Sequence, residues 1–215
     1  MTLFRDRGHA GRELAQELRS RHEKRAFEDP VVLALPRGGV TVAQEVARAL
    51  DAPLDVLVAR KIGAPFQEEF GVGAICGDDP PVFDDWALGR LGLTPTTLAP
   101  IVARERAELH RREELYRHGR PALDLRGRTV IVVDDGLATG ATARAALRWI
   151  RGRSPERVLL AVPVGSPEGV ELMSREADEV VCLHRPVDFM AVGLWYDDFQ
   201  QLTDADVLAA LHTDA

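Results

Sequence analysis

The run Asp134-Asp135-Gly136-Leu137-Ala138-Thr139-Gly140-Ala141-Thr142 restricts this chain more than any other stretch, because of what flanks it. Ahead of it stands Thr129-Val130-Ile131-Val132-Val133, a run of the kind buried on both faces of a parallel sheet. Behind it, the segment 143–150 reads as a helix with Ala143, Ala146, Leu147 and Ile150 on one face. Two carboxylates therefore stand where a strand ends, and a small hydroxyl-bearing loop leads into a helix N-terminus. The free N–H groups and positive dipole end of that helix make the loop an anion site, to which Thr139 and Thr142 add hydroxyl donors. A P-loop would need a Gly-Lys-Ser/Thr step, and the run contains no lysine. Two acids beside a phosphate cradle suit a molecule with both sugar hydroxyls and a phosphate.

The rest of the chain reads as alternating strands and helices. A helix is expected from about His9 to Lys24 with Leu14 and Leu18 inward, then a strand at 31–35. A helix from about Gly39 to Leu50, with Val42, Val46 and Leu50 spaced by four, leads to a strand at 54–59. Strand, helix, strand favours parallel pairing through a right-handed crossover. The section 62–119 breaks the alternation, with an antiparallel strand expected at 70–76, a turn at 77–81 and a helix from Thr94-Pro95 to about His118. That helix is laced with charge, including Glu108/Arg112 and Glu113/Arg117 at i,i+4, and reads as a solvated, salt-bridged face. A strand at 157–162, a helix at 166–175, a last parallel strand at 179–183 and a closing helix from about Thr203 complete the pattern. The fold class is α/β: a mostly parallel sheet flanked by helices, one domain over residues 1–215.

Length and composition agree: 215 residues are enough for one well-buried domain. No apolar run approaches the ~20 residues of a membrane span, and the N-terminus lacks a signal peptide's apolar stretch, so a cytoplasmic location is expected. A net charge of −7 gives no hint of a nucleic-acid face. Cys76 and Cys182 read as buried thiols, and none of the six histidines forms a zinc-like spacing with them.

The acidic run followed by Thr-Gly-x-Thr resembles the signature with which type I phosphoribosyltransferases bind 5-phosphoribosyl 1-pyrophosphate (PRPP). The resemblance implies that Asp134 and Asp135 hold the ribose 2′ and 3′ hydroxyls, and that Ala138, Thr139, Gly140, Ala141 and Thr142 form the 5′-phosphate loop. It covers a core of about 31–183, with a mobile loop and helical insertion at about 62–119 and a hood at about 184–201, completed by the N-terminal segment. After the first strand, Pro36-Arg37-Gly38-Gly39 is similar to the family's pyrophosphate loop: Arg37 offers a fixed fork, and Gly38 and Gly39 allow close backbone approach. A cis peptide at Arg37–Gly38 or its neighbour is implied. Lys61, one of two lysines in the chain, stands where family members carry a basic residue for pyrophosphate. The stretch after it, to about Cys76, would close over the reacting centre. The segment 185–199 loosely resembles the hood of purine enzymes, in which Trp195 or Tyr196 stacks on a planar ring, or the aromatics plug hood to body; Asp197 lies beside them.

The implied reaction displaces pyrophosphate from ribose C1′ by a nitrogen of a nucleobase or similar small acceptor. Mg²⁺ would be held mainly by PRPP's own oxygens, with help from Asp134 and Asp135. One position departs from the 6-oxopurine pattern: Ala138 stands where those enzymes carry an aspartate, which argues against hypoxanthine or guanine. Glu68, Glu69 and Asp197 are the candidates for a general base. A PRPP-binding regulator with little catalysis is the alternative, and the retained Arg37 and Lys61 favour an enzyme. A generic dinucleotide binder ranks last, since no G-x-G-x-x-G follows the first strand. A homodimer is expected by family analogy only.

Overall fold

The computed structural model describes residues 2–24 and 27–212, apart from the side chains of Glu69 and His212. Helix α1 (Arg7–Glu23) begins at Asp6, whose carboxylate accepts from the His9 N–H at 2.7 Å and caps it. Leu14 and Leu18 are buried, as their spacing requires. Strand β1 (Pro30–Ala34) leads to α2 (Gly39–Leu50), which buries Val42, Val46 and Leu50, and then to β2 (Leu54–Val56).

Here the structure departs from the expected strand at 54–59. The chain leaves the sheet after Val56 and starts a separate one. Strands β3 (Ala59–Ala64) and β4 (Gln67–Cys76) form an antiparallel hairpin, and β5 (Val82–Phe83) pairs with β4. The segment expected to be a closing loop is thus mostly hydrogen-bonded hairpin, with shifts of register around Gly63. Helix α3 (Asp85–Leu91), which the hydrophobic pattern did not announce, follows, capped by the Asp84 carboxylate on Ala87 N–H at 3.0 Å.

The long helix α4 (Pro95–Arg117) begins at Thr94 with a reciprocal capping box to Thr97 and with Pro95 in its first turn. Its expected pairs are present, Glu108–Arg112 at 2.7 Å and Glu113–Arg117 at 3.9 Å. Only a narrow set of its side chains is buried, Leu98, Glu105, Leu109 and Tyr116. It packs over the hairpin and ties to it through Arg60 and Glu105 at 2.5 Å.

Strand β6 (Thr129–Val133), α5 (Ala141–Arg151), β7 (Arg157–Val164), α6 (Pro167–Met173), β8 (Glu179–His184), a 3-10 turn at Val192–Trp195 and α7 (Asp204–His212) complete the chain. The main sheet has the order β2-β1-β6-β7-β8, parallel throughout. Every residue of β6 is buried. Ile131 and Val133 face the core shared with α1 and α2, whereas Val130 and Val132 face the one shared with α5. Alternate residues serving two apolar layers explain why β6 shows no polar alternation. Cys76 is buried, but Cys182 is partly exposed, against expectation, because β8 is an edge strand; both are free thiols. Among the described residues no helix is long and apolar enough to cross a membrane.

Candidate functional site

The site is built at the carboxyl end of β6, next to β1, where the connections to β2 and to β7 leave toward opposite edges of the sheet and a crevice must open beyond the strands. Asp134 and Asp135 stand there, directly after Val133. Asp134 Oδ1 accepts from the Asp135 N–H at 2.9 Å. Asp135 Oδ2 accepts from Arg7 Nε at 2.8 Å, and the Asp135 carbonyl accepts from the Tyr196 hydroxyl at 2.6 Å. Arg7 is itself fixed: Nη1 donates to the Gln200 carbonyl at 2.8 Å, and its guanidinium lies 3.8 Å from the centre of the Phe199 ring. Burial, and then the neighbouring Asp135 charge, raises the Asp134 pKa well above the usual carboxylate range. Burial raises Asp135 as well, while Arg7 pulls it back.

Gly38 and Gly39 make this packing possible. A Cβ on Gly38 would sit 2.0 Å from Asp135 Oδ2, and one on Gly39 2.6 Å from the Val133 carbonyl. The glycine loop and the acid pair thus interlock across the β1–β6 seam, with a cis peptide between Pro36 and Arg37. Arg37 points past this seam to α7, its Nη1 3.8 Å from Asp204 Oδ1.

The loop after the acids is anchored from behind. Leu137 N–H donates to Val164 O at 2.9 Å, Ser166 N–H donates to Leu137 O at 2.8 Å, and Ser166 Oγ donates to Ala138 O at 2.7 Å. Gly169 lets α6 come this close, since a Cβ there would stand 2.3 Å from the Ala138 carbonyl. Gly140 takes φ +76°, a left-handed conformation that glycine adopts without strain, and turns the chain into α5. No side chain caps α5, so its first N–H groups are left to solvent or a ligand. Ala138 and Thr139 are exposed; Ala141 and Thr142 open the helix half-buried.

A cavity of about 510 Å³ lies between this loop and the second sheet. Thr139, Ala141 and Arg144 line one side, Lys61, Phe83 and Trp86 the other. Lys61 lies within β3 rather than past a strand end, with its stem over Gly71. Of the aromatics after β8, Tyr196 is a buried plug against Phe4 and Phe199, and Trp195 stacks beside Phe189 at 6.5 Å. The Tyr196 ring is therefore enclosed by its own chain. Residues 3–5 run along 195–198: Leu3 and Phe4 N–H groups donate to Trp195 O, and Asp197 N–H donates to Phe4 O at 2.9 Å. Asp197 faces outward and accepts from Thr2. Glu68 is exposed and pairs with Arg104 at 3.5 Å; the Glu69 side chain lies outside the described residues.

The structure thus brings Asp134, Asp135, Gly38 and Gly39 into one cluster, with Thr139, Ala141 and Lys61 around the adjacent cavity. Tyr196 meets the cluster through its hydroxyl on the Asp135 carbonyl, with its ring enclosed, and Asp197 faces outward. Arg7 and Ser166 escaped the sequence reading. The Ser166-Pro167 step is a helix-start signal that pointed to Ser166, whereas nothing local marks Arg7.

A family model for the phosphoribosyl transferase domain matches residues 5–198. A putative phosphoribosyl transferase of Mycobacterium tuberculosis (strain H37Rv) is 47% identical over 211 residues, which is 98% of this chain and 47% of that protein. The chain therefore spans about half the length of the curated relatives it matches. The crystal structure of TT1426 from Thermus thermophilus is similar at a TM-score of 0.80 with 48% identity, covering 98% of both chains. A hypoxanthine phosphoribosyltransferase of Staphylococcus aureus, at a TM-score of 0.50 and 11% identity over 88% of this chain and 79% of its own, shares the fold alone. With its matched span and its parallel sheet taken together, the chain belongs to the phosphoribosyl transferase domain family.

Proposed function

We propose that this chain transfers the 5-phosphoribosyl group of PRPP to a nitrogen of a small nucleobase-like acceptor, releasing pyrophosphate. The observation that carries the reading is the acid pair set one loop away from an uncapped helix N-terminus on the same β6–α5 connection. Of the four carboxylate oxygens, Asp134 Oδ1 and Asp135 Oδ2 already accept hydrogen bonds, from Asp135 N–H and Arg7. The other two accept no hydrogen bond among the described residues, and we assign them to the 2′ and 3′ hydroxyls of a ribose. The N–H groups of the loop and of α5, with Thr139 and Thr142, then take the 5′-phosphate.

The acceptor's nitrogen lone pair forms a bond to C1′ as the C1′–oxygen bond breaks, and pyrophosphate leaves with that electron pair. The transition state resembles an oxocarbenium ion. Arg37, whose head group lies near α7, Lys61 across the cavity and the Gly38-Gly39 backbone are the groups we assign to the departing charge. Among the described residues no cluster of three or more His, Cys, Asp or Glu could hold a metal by itself. The donor set here, two carboxylates with Arg7 on one of them, fits a magnesium ion shared with PRPP rather than a metal caged by protein. When bound, Mg²⁺ supplies charge neutralisation for the leaving group. Arg7 offsets part of the burial penalty on the Asp135 carboxylate and aims it.

The test is pyrophosphate release from PRPP and Mg²⁺ with a panel of purine and pyrimidine bases. Release that depends on one base, and is lost in Asp134→Asn/Asp135→Asn, supports the assignment and names the acceptor. PRPP binding without release with any base would favour a PRPP-binding regulator. Neither binding nor release would overturn the reading.

A further inference from the structure

Helix α7 begins six residues beyond the span matched by the family model, yet its first residue reaches the glycine loop. Asp204 lies at a junction of three elements. Its Oδ1 accepts from the Tyr116 hydroxyl of α4 at 2.6 Å, its Oδ2 is 3.5 Å from Arg111 Nη2, and Arg37 Nη1 stands 3.8 Å from Oδ1. Tyr116 is fully buried, so the hydroxyl that holds Asp204 is not adjustable. The helix behind it is also fixed. Val207, Ala210 and Leu211 are buried in the core, and Gln44 Nε2 of α2 donates to Ala210 O at 3.3 Å.

Arg37 is held differently. Its backbone is set by the Gly38-Gly39 interlock with the acid pair, but a long side chain on a fixed backbone still samples many rotamers. The Asp204 pair is the restraint on its head group, and it engages one terminal nitrogen. Nε and Nη2 have no protein partner among the described residues, so the guanidinium can grip a second anion while keeping the first. A carboxylate behind an arginine orients the fork; it also lowers the entropy lost when the fork closes on a ligand.

We propose that Asp204 is a positioning residue for Arg37, so that α7, outside the family-matched span, tunes recognition of the pyrophosphate group. This rests on the PRPP reading above. Asp204 touches no ligand; it acts through Arg37, and Tyr116 acts through Asp204.

The experiment compares magnesium-dependent binding of PRPP and of ribose 5-phosphate, by calorimetry, in wild type and Asp204→Asn. An asparagine still accepts from Tyr116, so α7 stays docked while the charge facing Arg37 is gone, and an unchanged thermal midpoint checks this. PRPP binding is expected to weaken about fivefold, the size of a half-exposed ion pair, with ribose 5-phosphate unchanged. Asp204→Glu should recover part of the loss. In an Arg37→Gln background the Asp204→Asn change should have no further effect, because the pair is already broken. Equal loss for both ligands, or an undiminished effect in the Arg37→Gln background, would mean a structural role and overturn the proposal. So would unaltered or tighter PRPP binding in Asp204→Asn. Wild-type protein that binds PRPP while Asp204→Asn matches it sinks only the Asp204 assignment. Wild-type protein that binds neither ligand sinks the PRPP reading, and the assignment with it.

Discussion

The two walls of the candidate site are made in opposite ways. The wall at the end of β6 is interlocked: strands buried on both faces, glycines whose missing Cβ atoms let backbone and carboxylate touch, and an arginine held at three points. The wall across the cavity is a small antiparallel sheet with a shifted register, a two-residue tip carrying an almost fully exposed Phe66, and an exposed Trp86. The first suits groups that must be in place before a ligand arrives. The second is a separate sheet: among the described residues its strands pair with each other and with no strand of the main sheet, and it is tied to α4 through Arg60 and Glu105. The acid pair and glycine loop are placed on the parallel sheet; the far side of the cavity is hung beside it on a sheet of its own.

Glycine replacement probes this contrast most sharply. Gly38→Ala puts a methyl 2.0 Å from Asp135 Oδ2, against a carboxylate already clamped by Arg7. It should cost about 1–3 kcal/mol of stability and more than tenfold in PRPP affinity, roughly 1.4 kcal/mol or more. Gly71→Ala, on the other wall, meets only the flexible Lys61 stem at 3.2 Å and should shift the thermal midpoint little. Equal effects at the two glycines would erase the distinction.

Arg7→Gln comes next. It removes a charge-assisted hydrogen bond to a recessed carboxylate, worth about 1.5–3 kcal/mol. The Asp135 pKa, which Arg7 holds down, should rise further. The acid limb of PRPP binding should therefore move to higher pH, and Arg7→Lys should restore part of it. A PRPP-binding pH profile checks both; an unmoved acid limb would show that Arg7 only packs.

Asp134→Asn separates stability from function. Its folded pKa is raised by burial, so the carboxyl stabilises the fold most when protonated, and that contribution is lost as pH rises through the folded value. At neutral pH the ligand-free protein should gain about 2–4 °C in Tm on substitution. The gain should vanish below the ordinary aspartate range, while PRPP binding is weakened at every pH. Phe66→Ser should do least: at 95% exposure it should change the unfolding free energy by under about 0.5 kcal/mol. A larger loss would mean that the hairpin tip is held in place.

The legible parts of this molecule are those in which local pattern and global fold agree. The helix at 39–50 coincides with α2 because a four-residue spacing of Val42, Val46 and Leu50 is the buried stripe itself. The run 129–133 coincides with β6 because no polar residue interrupts it. The second sheet was half legible. Val56 to Ala59 is apolar without a break, so sequence alone did not mark where one sheet ends and another starts. Arg7 is 128 positions from Asp135, and its role exists only once α1 docks. Tyr196 looked available for stacking, because a pattern does not reveal that its hydroxyl is needed by the Asp135 carbonyl.

The anchoring of the Leu137–Ala138 segment has a consequence that follows from the planarity of the peptide group. In a trans peptide the C=O and the next N–H point in opposite directions. Ser166 takes the carbonyls of both Leu137 and Ala138 on the α6 side. The N–H groups of Ala138 and Thr139 are thereby turned to the other side, away from α6. The polarity of the loop is decided by where its carbonyls are tied down, not by the side chains it displays. A serine behind the loop thus decides which way two of its N–H groups point.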